Sequence, residues 1–186
     1  MTRARGWTGG LLGLLLAGLA LAAPRPYGAA GGSATFEHRV RFVNVRGTVA
    51  GVTAQVQLDP QDLAATRGSV TVPLSELKTG IALRDRHAQG EVALDTARYP
   101  NATFVLESLT GGRLLEGQTL STTATGRLTV KATTRSLSVP VKATLRGGRV
   151  EISTQFKFNP YDFDVRYPGS SDSVTVGVTF TLVASP

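Results

Sequence analysis

The side chains of this sequence that could do chemistry are few. It has two histidines, His38 and His87, and no cysteine, so thiolate chemistry, zinc–sulfur sites and disulfides are excluded. Asp85 stands two residues before His87, and a carboxylate beside an imidazole is the beginning of an acid–base or metal site. A metal needs three or four convergent ligands, and no further histidine or cysteine accompanies this pair, so no metal site is expected. Arg84 and Asp85 read instead as a structural pair that fixes their segment against a neighbouring element. No serine sits in a Gly-x-Ser-x-Gly turn, and no glycine-rich phosphate loop opens a helix. The run Tyr161-Asp162-Phe163-Asp164-Val165 places two carboxylates together, which reads as a turn with solvated acids rather than a catalytic pair or a calcium loop. No catalytic residue is assigned, and an enzyme is not expected.

The elements that position these residues are strands. His38 shares an apolar face with Phe36, Val40 and Phe42, while Glu37, Arg39 and Arg41 take the other face. That period of two marks a half-buried strand. The same alternation recurs at 52–58, 69–74, 103–109, 118–130, 137–145, 150–158 and 174–182. Pro140 within one run argues for an edge or a bulge there, and Gly147-Gly148 is a hairpin signal. Residues 60–65 and the stretch 83–97 carry short helical signals; Gly90 suits a helix end and Tyr99-Pro100 a stop. Eight antiparallel strands, each with one apolar face, close as a barrel or stack as a sandwich. The outer faces carry Lys, Arg, Glu, Gln and Thr, unlike the lipid-facing band of an outer-membrane barrel. Candidate inward positions are mostly Val, Ala and Leu, and small inward residues leave room for a cavity.

The N-terminus has the layout of a secretory signal: Arg3 and Arg5, an apolar run over 11–21, and small residues at 20–22. The expected division is a signal peptide at 1–22, a flexible Pro/Gly/Ala-rich lead-in at 23–34 and one β domain at 35–186. Without Arg3 and Arg5 the 20 basic residues become 18 against 13 acidic, a net +5. The basic residues are spread singly, so no nucleic-acid partner is expected. Transient contact with an anionic membrane surface is compatible with this charge. The sequence sets no oligomeric state; a dimer is one option.

Three segments together resemble the YceI-like family. The first is Thr79-Gly80, then Arg84-Asp85-Arg86-His87, then Tyr99-Pro100-Asn101-Ala102-Thr103-Phe104. The second runs from Gly126 to Arg135, and the third is Tyr161-Asp162-Phe163. Ala132 and Arg135 stand where the family usually has Gly and Lys, and Asp164 stands where Gly is common. The similarity extends over about residues 33–182. It implies an all-β fold, an eight-stranded antiparallel lipocalin-like barrel, in a protein exported to the periplasm or beyond. It also implies a long apolar isoprenoid lipid, a polyprenyl chain or isoprenoid quinone, held in the lumen without a covalent cofactor. On that reading the lumen contacts are Phe36, Phe42, Val56, Leu58, Val72, Phe104, Leu106, Phe156, Val176 and Val178. Arg84, Asp85, His87, Tyr99 and Pro100 are then structural motif residues at one barrel end. The alternative is a side-chain-filled barrel acting as a structural or stress-related interaction protein of the cell envelope.

Overall fold

Period-two alternation needs a sheet with one wet and one dry face, and a sheet of eight such strands removes its edges by closing on itself. The computed structural model describes residues 23–185; the expected signal segment at 1–22 lies outside the described residues. The strands are β1 (Arg25–Val40), β2 (Val43–Leu58), β3 (Arg67–Pro73), the two-residue β4 (Leu77–Lys78), β5 (Asn101–Leu109), β6 (Thr119–Val130), β7 (Thr133–Arg146), β8 (Arg149–Phe158) and β9 (Ser170–Ala184). Eight of them form an antiparallel barrel in the order β1-β9-β8-β7-β6-β5-β3-β2, closed where β2 pairs with β1. β4 lies against Thr48 and Val49 of β2 beside the barrel mouth.

One end of the barrel carries the β1–β2, β6–β7 and β8–β9 connections together with the segment between β3 and β5. We call it the upper end. Its one helix among the described residues is α1 (Ala82–Gln89). The lower end carries the β2–β3, β5–β6 and β7–β8 connections. Here Leu63, in a 3-10 turn capped by the Asp62 side chain, packs with Leu114, Leu58, Val150 and Leu182 into a closed floor. Leu63 and Val150 are 1% and 0% exposed, so this end is sealed.

The barrel has one local gap. β7 pairs with β8 only from Val141 to Arg146, so the Thr133–Pro140 stretch has a strand partner in β6 alone. Pro140, which has no N–H to give, sits at the limit of this half-edge, and its carbonyl accepts a 2.6 Å bond from Thr154 Oγ1. The gap is filled from the β8–β9 connection. A 3-10 turn at Pro160–Phe163, capped by the Asn159 side chain, drives Phe163 into a cluster with Leu128, Val130, Leu137 and Phe158. Phe163 meets the Phe158 ring edge-on at 5.2 Å.

Three sequence expectations are corrected. Residues 25–34 are not a flexible lead-in but the first part of β1. Tyr27 and Ala34 are buried, and backbone bonds to β2 and β9 hold the segment in spite of its glycines. Composition read as flexible because a sheet's two neighbours are invisible in a local window. The helical signal at 94–97 yields hydrogen-bonded turns rather than a helix. Asp95 takes a left-handed φ of 47°, and its carbonyl receives the N–H groups of Arg98 and Tyr99. Arg84 and Asp85 are not an ion pair; the partner of Asp85 is Thr79.

Candidate functional site

The inward faces of the strands enclose a cavity of about 710 Å³ that runs from the sealed floor to the upper end. That volume lies within the usual range for small-molecule sites, roughly 300–1,000 Å³. All ten residues named from the sequence line it: Phe36, Phe42, Val56, Leu58, Val72, Phe104, Leu106, Phe156, Val176 and Val178. Their positions follow from the register. Val176 of β9 stands opposite Phe36 of β1 on one side and Phe156 of β8 on the other. Phe104 and Leu106 of β5 stand opposite Val70 and Gly68 of β3. Directly paired residues share a face, so one correct strand assigns its neighbours. Leu58 lies at the floor. Phe42 occupies the opposite extreme, at the β1–β2 turn, 90% exposed.

The lining is apolar along most of its length. The charged side chains and several polar ones collect at the upper end, His38, Arg41, Thr79, Arg84, Tyr167 and Ser170, while the hydroxyl residues Thr66, Thr122 and Thr154 also line the cavity further down. Arg41 has a left-handed φ of 53°, its N–H donates to Gly169 O at 2.7 Å, and its side-chain stem passes over Gly169. The β1–β2 turn is thereby tied to the β8–β9 connection. Across the mouth, Asp85 accepts from Thr79 N at 2.7 Å and from Thr79 Oγ1 at 2.5 Å. These bonds, led by the hydroxyl, hold the Asp85 carboxyl below its ordinary value. They also fasten α1 to the residue that follows β4. Gln89, at the other end of α1, donates to Ser75 O and Leu77 O at 3.0 and 3.1 Å. The Thr-Gly and Arg-Asp parts of the motif thus act together as a clasp for α1.

The remaining motif residues serve the same segment. Pro100 O accepts from Leu74 N at 2.7 Å, Tyr99 lies under the Arg98 guanidinium at 5.4 Å, and His87 is exposed on α1. Asp85 is engaged with Thr79, and among the described residues no three His, Cys, Asp or Glu side chains gather to hold a metal. Two features escaped the sequence reading. One is the packing role of Phe163, which only the β7–β8 gap explains. The other is Thr66, whose hydroxyl is buried at the floor, lines the cavity and has no hydrogen-bond partner.

His38 is half-buried beneath the mouth, stacked with Phe36 at 6.0 Å. Burial, aided by the nearby Arg84 charge, lowers its pKa from the ordinary 6.5. The folded state therefore disfavours the protonated imidazole. Stability is retained above the ordinary value and falls as pH drops below 6.5 toward the folded pKa. The contribution of Asp85, whose pKa is also lowered, disappears only in the more acidic carboxylate range. Melting temperature followed from about pH 7.5 to about pH 5 is expected to fall in the native protein and to fall less in His38→Gln.

Comparison with known proteins agrees with this architecture. The family model of the YceI-like domain matches residues 28–184. A UPF0312 protein of Pseudomonas syringae is 26% identical over 181 residues, covering 90% of each chain. Protein YceI of Escherichia coli is 28% identical over 126 residues, 64% of this chain and 63% of that one. Among solved structures, a polyisoprenoid binding domain from Saccharophagus degradans superposes with a TM-score of 0.72 at 12% identity, covering 87% of this chain and 99% of that one. BcnA of Burkholderia cenocepacia gives 0.71 at 20% identity, covering 81% and 95%. These two structures share the fold.

Proposed function

From the premise that this chain belongs to the YceI-like family, we propose that it is an exported carrier holding one long apolar lipid of isoprenoid type, a polyprenyl chain or an isoprenoid quinone, in the barrel lumen. The observation that carries this reading is the cavity itself: continuous, sealed below and lined along most of its length by Val, Leu, Ala and Phe. An apolar chain leaving water for such a space gains in proportion to the area it buries and asks for few polar contacts. The neighbouring fold in Saccharophagus degradans is a polyisoprenoid binding domain, which favours the same ligand class here. Binding, not catalysis, is the role that the side chains support.

The open end fits a carrier that meets a membrane. Phe42, Val43, Ile81 and Leu83 are 90%, 59%, 50% and 55% exposed, and all belong to the β1–β2 turn or the entry of α1. Arg39 and Arg41 immediately precede the first pair in sequence, and Arg84 and Arg86 immediately follow the second. Apolar side chains among cations suit an anionic bilayer surface. One experiment addresses both points. An apolar dye loaded into the lumen is displaced by a polyprenyl alcohol and passes to anionic vesicles, and Phe42→Ser slows the passage. Absence of any dye uptake would instead favour a filled barrel with a structural role.

A further inference from the structure

The barrel wall leaves a length of strand edge unpaired. The β6–β7 hairpin closes on Val130 and Thr133 around the two-residue turn Lys131-Ala132, with Lys131 at a φ of 53°. In such a hairpin the closing pair exchanges both backbone bonds, so Thr133 and every second residue after it bond to β6. The backbone groups of Thr134, Ser136, Ser138 and Pro140 point the other way. Lower on β7 the same set continues as Lys142, Thr144 and Arg146, which stand opposite Ser153, Glu151 and Arg149 of β8. Pro140 fits this alternation, because its missing N–H falls on the side away from β6, and its carbonyl is taken by Thr154 Oγ1. Above it, the N–H and C=O groups of Thr134, Ser136 and Ser138 have no partner among the described residues, and no backbone bond joins them to the Pro160–Phe163 turn. Phe163 fills the inner side of the opening with Leu137 and Phe158. On the outer side the Thr134, Ser136 and Ser138 side chains are small and exposed.

The rim of this edge is cationic. Arg135 lies on the edge itself, Lys142 stands below it on β7, Lys157 is on the facing part of β8, and Lys131 heads the hairpin. None of the four forms an ion pair with a described residue; Lys131 Nζ donates to the Asp164 carbonyl at 3.1 Å. The acids of the adjoining turn are Asp162 and Asp164, and Asp164 is already paired with Arg166 at 3.1 Å. Cations along an edge keep two copies of it apart and draw an acidic strand toward it. We propose that the β7 half-edge, residues 133–139, docks a short, extended, acidic segment of a partner protein as an added strand. Main-chain bonds to Thr134, Ser136 and Ser138 hold such a segment, and its alternate side chains set specificity. Acids on its outer side meet Lys142, Lys157 and Arg135, and small apolar residues on its inner side meet Leu137 and Phe163. The site lies on the outer wall and stands whether or not the lumen carries a lipid.

The test uses two labelled heptapeptides on the full mature chain, one alternating glutamate with valine and one alternating lysine with valine. The glutamate peptide is expected to bind about tenfold or more tightly than the lysine peptide, and rising salt should shrink that ratio. Its binding should slow amide hydrogen exchange at Thr134, Ser136 and Ser138. Methylating every second backbone nitrogen of the peptide should abolish binding in one phase of the alternation and spare it in the other, a readout that leaves the protein unaltered. Ser136→Pro removes an edge N–H without removing a bond to β6 and should also abolish binding, with melting temperature as the check on the fold. Absence of binding, equal affinity for the two peptides, indifference to the phase of methylation, or protection elsewhere on the barrel would each overturn the assignment. Protection of the same three amides that rises with protein concentration in the absence of peptide would also overturn it, by giving the edge to a second copy of this chain.

Discussion

Val176→Trp is expected to abolish lipid retention while leaving the barrel folded. Val176 faces the cavity midway along β9, flanked by Phe36 and Phe156 across both ladders. An indole there projects into the space a chain must pass. Enlarging a packed interior side chain costs about 1–3 kcal/mol, but here the extra volume enters a cavity, so the cost should lie at the low end. A chain stopped halfway loses several buried methylenes, at about 0.8 kcal/mol each; a loss of ~3 kcal/mol is more than 100-fold in affinity. Melting temperature reports the fold and solvent extraction reports the lipid. A variant that melts normally and still yields the native amount of lipid would place the ligand outside the lumen.

The second large effect concerns Gly126, which opens the second motif segment. It is buried on β6 opposite Leu106, so its missing side chain would point into the barrel. A Cβ built there would collide with Val105 O and would lie 2.8 Å from Phe104 Cζ. The glycine is the seat of the Phe104 ring. Gly126→Val should destabilise the protein by about 3 kcal/mol or more, since both backbone and ring must move. The neighbouring exposed substitution Arg127→Ala removes only a surface ion pair to Glu107 at 3.0 Å and should cost about 0.5 kcal/mol or less. Denaturant titration of the two variants side by side reads the contrast. Equal stabilities would mean that the motif glycine has no packing role.

The barrel was legible in the sequence because period two is a strong local signal. A strand with Phe36, His38 and Val40 on one face can bury only that face. The ten inward residues line the cavity for the same reason: once Phe36 points inward, Val176 and then Phe156 must follow through the ladder. What local pattern could not show was pairing. Arg25–Ala34 looks like linker because its glycines and alanines gain their order from β2 and β9, more than a dozen residues away in sequence. Asp164 departs from the family's glycine, and the backbone explains why glycine is common there: φ is 56°, a left-handed value that Asp tolerates. Ala132 needs no such tolerance, since the positive φ in that turn falls on Lys131. The charged motif around Arg84 was visible as a break in the alternation, but its internal logic, Asp85 bonded to Thr79 with Arg84 left facing the cavity, depends on side-chain geometry.

The central claim is that the lumen carries a lipid. It is tested most directly by native mass spectrometry of the protein purified gently from its own host, followed by solvent extraction and mass spectrometry of the extract. The account predicts a mass above that of the bare chain, lost on extraction, with the released species identified as an isoprenoid. A bare protein mass across several gentle preparations would contradict it and would point to a barrel whose role lies in its outer surface.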